Sequence, residues 1–325
     1  MRTRPLLILL AALLLVAGAA RAPLGGSMEA PAWSPGDFWE YRFNTTFEDS
    51  VYLDGTVRAV VSGVRAEVVR GVPLDVFVVD ASGLGILQGS FEFSNVSIPA
   101  TGTWNLTGEE WIATASRKIV KSLVVIAADG TVPVPVPDTA FHLSWTNLTM
   151  NRVVQDAFTY PVPFGFSGTV TLNSSWREDV VIQLDGNPPE TFSNVNETDI
   201  AFGVAVVSRG NTTVPAGTFE TFEVRETWPD GSSDRFDYAP SAGNNARTEA
   251  YNASGGPVSR TELVAFRYRA SEPPADATGT YVAVGLGIAA AVAAIALLVR
   301  WRRRRAAREK EYTPPSLREP PTSGP

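Results

Sequence analysis

Cysteine is absent from this chain, which removes a disulfide framework, a thiolate metal site, a cysteine nucleophile and a cysteine for lipid attachment. Histidine is nearly absent: His142 stands alone in Phe141-His142-Leu143-Ser144-Trp145. One imidazole without thiolates cannot build the usual clustered zinc site, and no nucleophile elbow accompanies it, so His142 reads as a surface or half-buried strand residue. Phosphate loops, dinucleotide fingerprints and calcium loops are missing too, and no cofactor is implied. Basic residues are scarce between 23 and 299, sixteen against thirty-one acids, a net of −15. That balance disfavours nucleic acid as a partner and serves solubility.

Long apolar runs are limited to the two ends. Residues 1–22 carry Arg2 and Arg4, then an uncharged stretch from Pro5 to Ala20 and small residues, the pattern of a secretory signal peptide. The second run, Tyr281 to Val299, is long enough to span a bilayer of about 30 Å as a helix. Tyr281 and Trp301 sit where amphipathic rings prefer the headgroup layer, and Arg302, Arg303, Arg304 and Arg305 follow on the side expected to be cytoplasmic. The sequence thus predicts a signal peptide over 1–22, a linker over 270–280, a single transmembrane helix over 281–301 and a basic, proline-rich, disordered cytoplasmic tail over 302–325. The expected location is the plasma membrane, with the ectodomain outside the cell. The oligomeric state is open.

What the ectodomain does have is asparagine in the right company. Eight of thirteen asparagines stand in N-x-Ser/Thr: Asn44, Asn95, Asn105, Asn147, Asn173, Asn196, Asn211 and Asn252. These are glycosylation candidates, and their number suggests an external, sugar-bearing surface.

Helical spacing of apolar residues is also missing between Trp33 and Arg269, where short alternating runs are bounded by Gly, Pro, Asn and Asp. In Phe222 to Trp228, Phe222, Val224 and Trp228 share one face, with Glu226 the polar exception on it. Pro229-Asp230-Gly231 turns the chain toward a return strand holding Phe236 and Tyr238. A last strand is expected to point Val264, Phe266 and Tyr268 inward. A faint repeat lays Val61–Val79 on Val206–Val224 and Trp111–Lys121 on Phe236–Arg247. It predicts two β domains, 33–130 and 138–269, divided near the proline-rich Val132 to Pro137.

Four motifs carry a family resemblance: Pro35-Gly36-Asp37-Phe38-Trp39-Glu40-Tyr41, Val214-Pro215-Ala216-Gly217-Thr218-Phe219-Glu220-Thr221-Phe222, Tyr238-Ala239-Pro240 and Glu262-Leu263. Together they resemble an uncharacterised extracytoplasmic domain family related to the lipoprotein carriers LolA and LolB and to the pilus-associated TapB proteins, found in archaeal-type surface proteins. Where that family has glycine then valine after the Ala-Pro element, this chain has Gly243-Asn244-Asn245-Ala246. The resemblance implies a mainly β fold of two curved antiparallel half-barrels, joined here to one C-terminal transmembrane helix, and a concave face able to wrap a greasy ligand or a helix. From the residues themselves, Pro215 and Gly217 preset a sharp bend into the Phe219 strand.

No chemistry rises above background. Asp49, Asp54, Glu109, Glu110, Asp179 and Asp185 invite a carboxylate hydrolase, but the sequence does not bring any two across a cleft, and Glu109 and Glu110 should face opposite ways. Of the tryptophans, Trp145, Trp176 and Trp228 read as strand core, while Trp104, beside a sequon, is open between core and ligand platform. The functional expectation is a non-enzymatic, membrane-tethered surface module binding a protein, glycan or lipid. A component of an envelope or pilus assembly and a surface hydrolase are the alternatives.

Overall fold

A computed structural model describes residues 26–47, 51–93, 96–133 and 139–269. The signal peptide, linker, transmembrane segment and tail, with Tyr281, Trp301 and Arg302 to Arg305, lie outside the described residues, as do Asn95 and Asp49.

The strands follow one another as β1 (Ser27–Met28), β2 (Phe38–Phe47), β3 (Val51–Val69), β4 (Val72–Phe93), β5 (Val96–Ala113), β6 (Ile119–Val132), β7 (Thr139–Asp156), β8 (Val162–Pro163), β9 (Ser167–Leu184), β10 (Glu190–Val214), β11 (Gly217–Thr227), β12 (Ser233–Ala239), β13 (Asn244–Tyr251) and β14 (Pro257–Arg267). Apart from β1 and β8, which pair with each other, each strand lies antiparallel to the next, and β14 returns to β2 to close a twelve-stranded barrel.

This corrects the expected pair of half-barrels. Residues 33–130 and 138–269 contribute strands to one and the same ring. Divided by the repeat into two curved six-stranded sheets, β2–β7 and β9–β14, the ring has four edges that the pairings β7–β9 and β14–β2 satisfy, so β7, which the expected bounds give to the second domain, goes with the first. The expected transmembrane helix has no counterpart among the described residues, where no helix is long and apolar enough to cross a membrane. The barrel wall is also the reverse of a membrane barrel: Glu40, Arg42, Asp54, Arg58, Arg177, Arg235, Arg247 and Arg260 point outward and pair with neighbouring charges.

The sequence repeat is written into the irregularities of the ladder. A bulge lies between Val61 and Gly63 on β3 and another between Val206 and Ser208 on β10, the positions the alignment superposes. The β5–β6 pair slips where Trp111–Lys121 gives way to Ile112–Ile119, and β12–β13 slips where Asp237–Arg247 gives way to Tyr238–Asn245. The two closing seams slip alike, after Val153 and after Leu263. Even the turns correspond, with Arg117 and Gly243 both left-handed at φ 51° and 64°.

Each bulge bends a hairpin. The tip of β3–β4 folds over the outer wall, where Val69, Val76 and Val78 meet Trp111 and Val120 and Arg70 pairs with Glu197. The tip of β10–β11 turns at Gly217, φ 137°, and seats Val214 and Phe219 beside Ala242 and Leu263.

A ring of twelve strands encloses more space than its own side chains fill easily. Two segments plug it at one end. Residues 26–34 and the stretch around β8 bring in Met28, Phe158 and Val162, all buried, against Val204, Val206, Phe222, Val224, Phe236 and Tyr238, and Trp33, which packs on Trp39 and Phe77. Trp33 and Trp39 donate their indole N–H groups to the carbonyls of Gly243 and Ala242 at 2.8 and 2.7 Å. At the other end Trp104, Phe141, Trp145 and Val180 form a second apolar layer.

Candidate functional site: a polar belt inside the barrel

Between the two apolar layers the inner wall turns polar. Strand alternation puts Glu110 (β5), Ser122 (β6), Asn147, Thr149 and Asn151 (β7), Ser174, Trp176 and Glu178 (β9), and Asn194, Asn196 and Thr198 (β10) on one continuous inward band. Glu226 and Asp234 continue it on β11 and β12, and both are buried.

The acids of this band are individually absorbed by the wall. Glu178 is 1% exposed and accepts the Trp145 indole N–H at 2.5 Å. Asp234 accepts the Trp228 indole N–H at 2.7 Å, and burial outweighs that bond to push its carboxyl up. Burial alone pushes Glu110 up to about 8. Burial, reinforced by the Asp234 charge, pushes Glu226 up to about 8 against the pull of Lys118. Lys118 is itself pushed down by burial, opposed first by Asp156, whose carboxylate lies 3.4 Å from Nζ. Its ammonium also rests 4.9 Å from the centre of the Phe158 ring. Replacing Lys118 with methionine strands Asp156 against the plug, and the expected loss in urea unfolding is about 1–3 kcal/mol.

The proposed hydrolase carboxylates do not converge. Asp54 faces out to Arg42, Glu109 faces out to Arg65, and Asp179 is held low by the Ser193 hydroxyl and then by Arg177 on the outer wall. Asp185 lies in the β9–β10 turn. Of the candidates among the described residues only Glu110 points inside, opposite in direction to Glu109. His142 sits on the outer face with Nδ1 2.6 Å from Asp129. Among the described residues no group of three or more His, Asp and Glu is placed to hold a metal.

The sequons divide by face. Asn105, Asn211 and Asn252 are exposed, and Asn44 and Asn173 are half-buried on the outer wall. Asn147 is buried on the inner wall, where its Oδ1 accepts the Thr149 hydroxyl, and a sugar there has no room. Glycopeptide mapping of folded protein should find Asn147 bare. Asn196 is the exception in the other direction, facing inward yet exposed.

Its exposure has a structural cause. β10 pairs with β9 from Glu190 to Ala205 but with β11 only from Gly203 onward, because β11 to β14 are short. Residues 190–202 therefore form an edge, and the polar belt reaches solvent beside it. Trp176, directly across from Asn196, is half-buried and belongs to none of the four apolar clusters. Trp104 and Trp145 are core, and Trp228 packs on Phe202 with ring centres 4.7 Å apart.

Sequence reasoning marked Glu226 as the polar exception on its face but missed Glu178 and the company of Lys118 and Asp156. The signal for Glu178 was its place between Trp176 and Val180 at alternate positions; the signal for Glu226 was its place on the Phe222–Val224 face.

The class these features define is an up-and-down antiparallel barrel with a plugged interior. No family model matches the chain, and no curated protein matches it. Among solved structures, a protein described as exported and of YmcC-like fold from Bacteroides fragilis NCTC 9343 is similar with a TM-score of 0.28 and 14% identity, covering 74% of this chain and 100% of its own. A protein described as a lipoprotein from Parabacteroides distasonis ATCC 8503 gives a TM-score of 0.28 and 12% identity, with 74% and 99% covered.

Proposed function

We propose that this chain is a non-enzymatic module of the cell surface that meets a protein partner through the outer wall of its barrel. The observation that carries the reading is the filled interior. Trp39, Val57, Val61, Val79, Ile112, Phe158 and Leu263 are at most 1% exposed, so the greasy concavity a lipid carrier needs is occupied by the protein's own side chains. Of the inward acids, Glu178 and Asp234 are held by Trp145 and Trp228, Glu226 lies beside Asp234 on the same wall and near Lys118, and Glu110 is buried by itself, so no two face each other across a cleft. Extracytoplasmic placement is supported by the leader-like residues 1–22 and the sequons.

On the outside, Leu84, Ile86 and Tyr52 are 67%, 45% and 39% exposed on neighbouring positions of β3 and β4. Such a patch on an otherwise charged wall suits a modest contact with another protein, as in an envelope assembly. A photo-crosslinking residue placed at Leu84 should give discrete protein adducts in intact envelopes, whereas one at Gln183 on β9 should give none. Equal adducts at both positions, or stoichiometric lipid carried by the purified protein in native mass spectrometry, would replace this reading.

A further inference from the structure

We propose that the N-linked sugar of Asn196 seats on the Trp176 indole and closes the open side of the barrel. The inference rests on the extracytoplasmic placement above but not on the protein partner.

Asn196-Glu197-Thr198 is a sequon whose asparagine is exposed although it points to the inner side. Its direct cross-strand neighbour is Trp176, and side chains in that relation have Cβ atoms about 4.5–5.5 Å apart. The first sugar ring, bonded through its C1 to Asn196 Nδ2, therefore emerges beside the indole. That bond is made by the oligosaccharyltransferase of the export route: the C1–O bond to the phosphate of a lipid-linked oligosaccharide breaks as C1–Nδ2 forms, and the lipid phosphate departs with the proton the amide loses.

Trp176 is the inner-wall tryptophan left without an apolar layer to join. Along its own strand it lies between Ser174 and Glu178, and across the other seam it faces Thr149. Ser174 and Glu178 are themselves buried, Glu178 on the Trp145 indole, so what the site offers is the half-open face of the Trp176 ring, which suits the C–H face of a pyranose, with the half-buried Thr149 hydroxyl beside it. Thr198 and Asn194 flank the attachment point on the same face of β10 and add to its polar rim.

The location adds a second reason for a sugar. Residues 190–202 are free on the side away from β9, with Glu190, Glu197 and Asp199 but no proline or lysine to guard them, so the edge is still open to another strand. A sugar rooted at its centre and held down by Trp176 blocks such pairing without spending a bulge.

The test uses the full chain expressed through the export route of an N-glycosylating host and purified in detergent. Glycopeptide analysis should show Asn196 occupied. N196Q and T198A, which remove the sugar by different routes, should each lower Tm by about 2–4 °C, and neither should lower it further in a W176A or W176L background. Native endoglycosidase should trim the Asn196 glycan about 5-fold faster in W176L than in the parent, a readout that does not depend on stability. A bare Asn196, or N196Q shifts of equal size with and without Trp176, overturns the proposal. Those results leave the protein-partner reading standing, since the crosslinks from Leu84 lie on β4 and do not involve Asn196.

Discussion

Replacing Glu110 with glutamine is expected to raise the stability of the barrel by about 2–4 kcal/mol at pH 8 and to leave it unchanged at pH 4. Glu110 lies on β5 between Gly108 and Ile112 on the inner wall, with no side-chain hydrogen-bond partner among the described residues, and burial raises its carboxyl to about 8. Below the ordinary carboxylate range both folded and unfolded chains hold the proton, so nothing is lost. As pH rises through that range the unfolded chain ionises and the folded one does not, and stability falls until the buried acid itself titrates. The full linkage value is about 5 kcal/mol, and relaxation of the wall around a nascent charge leaves roughly half. Urea unfolding at pH 4, 6 and 8 separates the outcomes: curves for E110Q and the parent that stay parallel across this range would show that Glu110 is hydrated in the folded state. E226Q should act in the same direction but less steeply. Its neighbour Lys118 is a base with a lowered pKa, and its contribution to stability grows with pH where that of Glu226 shrinks.

Trp104→Ala is expected to cost about 3–5 kcal/mol, the range for removing a large buried aromatic. The indole lies over a floor of glycines. A Cβ added at Gly55 would come within 2.6 Å of its ring, and one at Gly85 within 2.7 Å of Nε1. Phe43 meets the ring edge-on at 5.8 Å, and Nε1 donates to the Ile86 carbonyl at 3.1 Å. The glycines let β3 and β4 pass close enough for the indole to cover both, so truncation opens a cavity that rigid backbone cannot collapse into. The floor can be tested separately. At Gly85 the nearest atom to an added Cβ is the Asp54 carbonyl oxygen at 2.0 Å, which is backbone. G85A should therefore destabilise by about 1–3 kcal/mol or more, and combining it with W104A should deepen the loss. A double variant more stable than W104A alone, measured by thermal unfolding, would mean that the added methyl fills the vacated space instead.

Much of this architecture was legible locally. Phe222, Val224, Phe236 and Tyr238 line the interior as their alternation predicts, and Glu226 is the buried polar exception that its position marks. The repeat read from the sequence superposes the positions at which β3 and β10 bulge, although nothing in it foretold the bulges. Errors begin where the period of two is interrupted. The last strand was expected to point Val264 inward, but the slip between Leu263 and Ala265 makes Leu263 the fully buried residue and Val264 the extra one. A bulge has no signature in the hydrophobic pattern of one strand, because it is defined against the partner. Closure is more distant still: the pairings of β14 with β2 and of β7 with β9 join residues with no local reason to meet, and the alternation of a half-barrel edge is the same as that of a seam. The outward or inward fate of Asn147 and Asn196 followed from those pairings, so eight sequons that look alike in the sequence differ in the fold.

The doubled pattern of slips at β3, β5–β6 and β7 and again at β10, β12–β13 and β14 has a consequence for assembly. One unit of six strands, produced by itself, would expose both a β2-like and a β7-like margin, and two copies of that unit are the smallest set that can hide them all. A chain of half this length could thus make the same enclosure as a symmetric homodimer. Within one chain the two units need not match: only the second has the short strands β11 to β14 that open the window at Asn196, which two identical units would show as a matched pair.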